Sequence, residues 1–181
     1  NPLIKLGFWP GGDRDGNPFV NAATSLQVAH ALRGSAIKCY YLDVRKLKRR
    51  LTFKGVDVAL TQLEKKLYDN LFIPGRLCDI SKQEILTSLQ NIRHQLVYDH
   101  NSLFVSQVDA LINKIEVFGL YFASLDIRQD SSIHTKTIQT LAANSVGLSK
   151  DYIDYSDSQK IEALTQLTVT DTSAVSWNND V

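Results

Sequence analysis

The sequence predicts a mainly α chain, a helical bundle carrying one or two short strands. Three observations lead there. Apolar residues recur at three- and four-residue spacing through most of the chain. One apolar, partly aromatic run, residues 120–128, breaks that period and has strand length. The stretch FWPGGDRDGNP, beginning at Phe8, is too rich in glycine and proline to join either element type and reads as a loop.

The elements follow in order. Behind the loop, Pro18 fits a turn or helix entry, and Asn21 or Thr24 can cap a helix over 22–51. Its stripe is Leu26, Ala29, Leu32, Ala36, Cys39, Tyr40 and Leu47, with a kink allowed at Gly34. A second helix fits 56–71, with Val58, Leu60, Leu63, Leu67 and Leu71 on one side and Pro74-Gly75 as its stop. Ser81-Lys82-Gln83-Glu84 is a capping box opening a third, striped by Ile85, Leu89, Ile92 and Leu96. A fourth spans 103–118. After the strand, Ser131 or Ser132 caps a helix that ends between Asn144 and Gly147, and Asp157 or Ser158 opens a last one. The tail 168–181 is polar, with Val175 and Trp177 as docking residues. A lone strand cannot satisfy its own backbone, and no segment of similar quality offers it a neighbour.

Composition sets the limits. A chain of 181 residues that is 44% hydrophobic and 22% charged can bury a real core and is not disordered. A net charge of +1 supplies no overall field for nucleic acid or an anionic membrane, and no apolar run is long enough to span a bilayer. Cys39 and Cys78 lack zinc spacing; two lone thiols fit a reducing compartment, with a disulfide between them as the open alternative. The chain starts at Asn1 and has no methionine, from which we expect a piece of a longer protein.

Two stretches carry chemistry. In the first, Gly11, Gly12 and Gly16 allow positive φ and close backbone approach, so amides and Arg14 can face an anion. The competing reading is a tight turn in which Asp13, Arg14, Asp15 and Asn17 bond one another and the backbone. Calcium-loop and P-loop readings fail on spacing: Pro18 and Thr24 stand where a calcium loop needs glycine and glutamate, and no Gly-Lys-Ser/Thr follows. The second stretch is LDIRQDSSIH, residues 125–134. Arg128 falls at a strand's carboxyl end, where a guanidinium grips phosphate or carboxylate with paired hydrogen bonds. The competing reading is a salt bridge to Asp126 or Asp130.

Together, Trp9 with GGDRDGNP (11–18) and LDIRQD (125–130) followed by His134 closely resemble the phosphoenolpyruvate carboxylase family, in which tryptophan precedes GGDRDGNP and LDIRQES lies downstream, followed shortly by histidine. Asp130 replaces the usual glutamate; the residues between the blocks fit a helical spacer. The resemblance implies a fragment of a helix-rich (β/α)8-barrel enzyme that carboxylates phosphoenolpyruvate with bicarbonate to oxaloacetate and phosphate. It implies Mg2+ or Mn2+, a cytoplasmic location and a homo-oligomeric parent. Trp9, Gly11, Gly12, Asp13, Arg14, Asp15, Asn17 and Gln129 would lie at the substrate pocket, and Arg128 would bind the phosphate. The layout it implies is a pocket loop over 1–20, a helical spacer over 21–119, a barrel strand and pocket loop over 120–135, and helices with a tail over 136–181.

Several departures qualify this. The family's catalytic TAHPTE motif, its metal-binding carboxylates and its GRGG loop find no match, so no catalytic or metal-binding residue is expected in this chain and the isolated chain is expected to be inactive. Residues 154–158, DYSDS, are similar to the family's YSDSAKD but lie too near Arg128, and Gln159 breaks the match. The spacer between Arg14 and Arg128 is short, and Pro10 and Ile133 are atypical, which points to a divergent bacterial branch or a paralogue with altered activity; a non-catalytic paralogue is a further possibility. The alternative from another class is a helical interaction domain that keeps the loop as structure. The basic run 45–50 reads as a solvated helix end, because cations there suit the negative end of the dipole. His30, His94 and His100 lack ligand-spaced partners.

Overall fold

The computed structural model describes residues 6–15, 17, 19–77, 79–144 and 147–168. The expectations for Gly16, Pro18, Cys78, the helix end at 145–146 and the tail with Val175 and Trp177 fall outside those residues. The chain is mainly helical, with two short parallel strands among the described residues. It divides into two compact units: Asn1–Asp13 with Pro18–Ile127, and Arg14–Asn17 with Arg128–Val181.

The first unit is a ring of four helices. Helix α1 (Ala22–Arg50) packs on α2 (Val56–Phe72) and α4 (Val105–Phe118), and α3 (Lys82–Asp99) packs on both α2 and α4. Asn21 caps α1, its side-chain oxygen accepting from Thr24 N at 3.0 Å, and the helix runs unbroken through Gly34. Gly55, at φ +88°, turns the chain into α2, and its amide donates to the Asp57 carboxylate at 3.1 Å. Ser81 caps α3 through Glu84 N at 3.1 Å, whereas the Glu84 carboxylate takes Lys66 Nζ at 2.5 Å. Helix α4 starts at Val105 rather than residue 103, because Phe104 sits at φ 60°, the left-handed region that a continuing helix cannot use.

Burial follows the helical period closely in α3, where Ile85, Leu89, Ile92 and Leu96 are all fully buried. In α1 it departs from the expected stripe. Ile37, Tyr40, Val44 and Leu47 form the buried face, while Leu26 is 62% exposed and Cys39 is exposed. Val58 of α2 is likewise exposed, and Val56 takes its place inside. The N-terminal half of α1 buries Ser25 and Arg33 instead of large apolar groups. That half supports the strand pair and its loops.

The strand reading needs correction. Within residues 120–128, Ser124–Leu125 (β2) is the paired strand, with an isolated bridge at Arg128, and the partner of β2 is Gly7–Phe8 (β1), immediately ahead of the loop. The pairing is parallel, Gly7 with Ser124 and Phe8 with Leu125. Residues 120–123 are used for a reversal instead. Gly119 ends α4 at φ 57°, and a tight turn closes from Ala123 N to Tyr121 O at 2.8 Å. Its central residue, Phe122, lies at φ 68° and stacks on Phe118 with centroids 5.3 Å apart. Such backbone costs on the order of 1–3 kcal/mol and persists only where its surroundings hold it.

The second unit holds α5 (Ser131–Ala143), a 3₁₀ turn (Lys150–Asp154) and α6 (Asp157–Thr165). Leu141, Ala142, Leu148 and Tyr152 form its small core. The cap of α5 is Asp130, not Ser131 or Ser132. The DYSDS stretch has a structural use: Ser156 and Gln159 form a complete capping box for α6.

Candidate functional site

The opening loop begins with a reversal whose sequence dictates its type. Gly12 N donates to Trp9 O at 2.8 Å, so Pro10 and Gly11 are the central residues of a four-residue turn. Proline fixes φ for the first, and Gly11 at φ +82° supplies the left-handed second, the type II pattern. Asp13 N also reaches Trp9 O, at 3.2 Å. Trp9 itself is 64% exposed.

The two glycines are required by packing as well. A Cβ on Gly11 would lie 2.5 Å from Val28 Cγ2 of α1. One on Gly12 would lie 2.2 Å from the backbone oxygen of Asp126, just past β2. Gly7 is held close in the same way, its missing Cβ 2.7 Å from the Asp126 carboxylate. The ladder extends past the paired residues through Ser124 N to Leu6 O at 3.0 Å and Asp126 N to Phe8 O at 2.8 Å. Ser25 in the first turn of α1 holds the loop from below, its hydroxyl donating to Gly11 O at 2.6 Å.

Within the second unit the charged residues of the two sequence blocks come together. Arg14 N donates to Arg128 O at 2.9 Å, so the two arginines stand on neighbouring backbone. Asp15, Asn17 and Arg128 are exposed, and Gln129 is half-buried. Gln129 Oε1 accepts from Asp130 N at 3.0 Å. The Asp130 carboxylate caps α5, accepting from Ser132 N at 2.7 Å. Hydrogen bonding from the Ser132 side chain and then from its amide holds that carboxyl below its usual range, and nearby His134 adds to the effect. Asp130, one of the two acids weighed as salt-bridge partners of Arg128, is thus engaged in ending a turn and starting a helix.

Sequence reasoning passed over Ser25 and Arg33. Arg33 is buried, donating through Nε to Leu77 O at 2.6 Å and through Nη2 to Ile80 O at 2.5 Å, with its guanidinium 5.4 Å from the Tyr121 ring centre. It ties the α2–α3 connection to the turn that leads into β2. A signal was available: Arg33 lies three and four residues before Ala36 and Ile37, on the buried side of α1. Tyr40 completes the support, donating to Gly119 O at 2.5 Å.

The lesser features fall elsewhere. Lys48 and Arg45 meet Glu64 at 2.6 and 3.5 Å, and Lys46 meets Asp43 at 3.3 Å, so the basic run is laced to acids on the helix surfaces. His94 packs on Tyr98 and His100 on Phe53. Among the described residues no three His, Cys, Asp or Glu side chains gather where they could hold a metal. No helix of the described residues is long and apolar enough to cross a membrane.

These features define a helix-rich chain with one short parallel strand pair among the described residues. The family model for phosphoenolpyruvate carboxylase matches residues 1–73 and 77–173, and the chain belongs to that family. It is 28% identical over 185 residues to the phosphoenolpyruvate carboxylase of Shewanella halifaxensis, an alignment covering 87% of the chain and 21% of that protein. The corresponding protein of Histophilus somni is 29% identical with the same coverage. That of Shewanella loihica is 30% identical over 76% of the chain and 19% of its own length. The chain thus spans about a fifth of the length of these curated relatives.

Proposed function

We propose that this chain is the part of a phosphoenolpyruvate carboxylase that grips the substrate's phosphate, with Arg128 as the principal contact and Arg14 beside it. The observation that carries the proposal is the 2.9 Å hydrogen bond from Arg14 N to Arg128 O, which sets the arginines of the two sequence blocks side by side. In this reading Asp15, Asn17 and Gln129 shape the same loop, and Trp9, Gly11, Gly12 and Asp13 build the turn that delivers it. The intact enzyme joins bicarbonate to phosphoenolpyruvate and releases oxaloacetate and phosphate. Carboxyphosphate and an enolate form on the way, and both are strongly anionic. Fixed guanidinium groups favour such species because their charge needs no rearrangement as the anion develops. The strand pair is read as two strands of the family's barrel. The Mg2+ or Mn2+, the cytoplasmic location and the homo-oligomeric assembly belong to the intact enzyme in this proposal, and the 181-residue chain by itself is inactive.

The test is Arg128→Lys in the intact carboxylase. Lysine keeps the charge but loses the paired hydrogen bonds, each worth about 1.5–3 kcal/mol. We expect the KM for phosphoenolpyruvate to rise, or turnover to fall, by about tenfold or more. Wild-type kinetics would remove Arg128 from the site.

A further inference from the structure

We propose that Ser25 is a positioning residue for the substrate loop, acting through the carbonyl of Gly11; the proposal rests on the loop reading just given. Ser25 is buried in the first turn of α1, and its hydroxyl donates to Gly11 O at 2.6 Å across 14 residues of sequence. The same hydroxyl lies 3.2 Å from Asn21 O. That second carbonyl already receives the Ser25 amide at 3.0 Å, as a helix requires. Gly11 O belongs to a turn rather than a helix, so the shorter side-chain bond is what fastens it to α1.

The fastening point is well placed to act. Gly11 is the left-handed residue of the turn, and its Cα faces Val28 one helical turn beyond Ser25. Ser25 and Val28 therefore grip Gly11 from the same face of α1, one by a hydrogen bond and one by contact. Gly12 is set against Asp126 O in the same turn. A turn pinned on both sides holds Gly11, Gly12 and the Asp13 amide in one arrangement. Without the hydroxyl, the Gly11 carbonyl faces the side of α1 with no donor from that position, and the turn can rock about the Gly12 contact. The fault would appear in how well substrate is held rather than in the chemistry that follows.

The test compares Ser25→Ala with Ser25→Thr in the intact carboxylase, with Arg128→Lys alongside. Ser25→Ala is expected to raise the KM for phosphoenolpyruvate about three- to tenfold with kcat much less affected, the scale of one lost hydrogen bond. It is also expected to speed amide exchange at Gly12 and Asp13 by a similar factor, while exchange in α3 stays at the wild-type rate. Ser25→Thr keeps the hydroxyl and should restore both. Wild-type exchange at Gly12 and Asp13 in Ser25→Ala would overturn the proposal, as would faster exchange with an unchanged KM when Arg128→Lys does weaken substrate binding. If Arg128→Lys has no effect, the substrate reading of the loop falls, and with it the positioning role; the exchange measurement then still reports whether Ser25 orders the turn.

Discussion

Replacing Gly12 by alanine isolates the contact on which the loop's placement depends. The added Cβ would sit 2.2 Å from Asp126 O, 3.1 Å from Asp126 C and 3.3 Å from Leu125 Cδ1. Two of these three are backbone atoms, so no rotamer change relieves them. Restoring a 3.0 Å contact requires the loop and the end of β2 to part by about 0.8 Å. Overpacking of this kind costs about 1–3 kcal/mol, and losing the Asp126 N to Phe8 O bond as the pair separates adds about 1 kcal/mol. We therefore expect a loss of about 2–4 kcal/mol, read from the urea midpoint. Gly75→Ala is the control. Gly75 has φ +83° and nothing within 4 Å of a built Cβ, so it reports backbone strain alone, roughly 1 kcal/mol. The reasoning is refuted if Gly12→Ala shifts the midpoint no further than Gly75→Ala.

Two further outcomes follow from the supports of the strand pair. Arg33→Lys should cost about 2–3 kcal/mol in urea unfolding, because one ammonium cannot reproduce the two carbonyl bonds and the stacking over Tyr121; a shift below about 0.5 kcal/mol would remove Arg33 as a tie. Burial first, then the neighbouring Cys39 and Asp43, pushes the Tyr40 hydroxyl up to about 12. A group whose folded value is raised lends stability that is complete below its unfolded value, near 10, and is lost as pH climbs to the folded value. Stability should thus fall between about pH 10 and 12 with a slope of up to about 1.4 kcal/mol per unit, and Tyr40→Phe should remove that contribution. Equal slopes in both proteins would place the titrating groups elsewhere.

What the sequence revealed depended on how regular the local signal was. Helix α3 was legible in its start and its buried face, because Ser81 and four regularly spaced apolar residues point the same way, but the Glu84 half of the expected capping box pairs with Lys66 instead. Helix α1 was legible in extent but not in facing. Apolar residues alone suggested Leu26 and Cys39, whereas the helix buries Ser25 and Arg33 to carry something other than the bundle. Strand β1 was not legible, because two residues have no period and their partner lies more than a hundred positions away. The run 120–128 overstated β2, since Phe122 adopts a left-handed turn that its composition argues against. At the candidate site, the two motifs marked the stretches that carry Arg14 and Arg128. The resemblance implied that Arg14 and Arg128 share a pocket, but the backbone hydrogen bond between them leaves no mark on side-chain identity.

The glycines of the opening loop have structural reasons that composition alone did not give. A structural turn and an anion-gripping loop both call for glycine, so the glycines alone decide nothing. Gly11 answers to a type II turn and to Val28, and Gly12 answers to Asp126 O. Both would be needed had the loop never met a ligand. The turn's closing bonds run from the Gly12 and Asp13 amides to Trp9 O, whereas the Arg14 amide donates to Arg128 O. In the proposed reading the loop is a packed reversal followed by a charged continuation. Substitutions at Gly11 or Gly12 are expected to register first as lost stability, and under the proposed function those at Arg128 as weakened substrate binding.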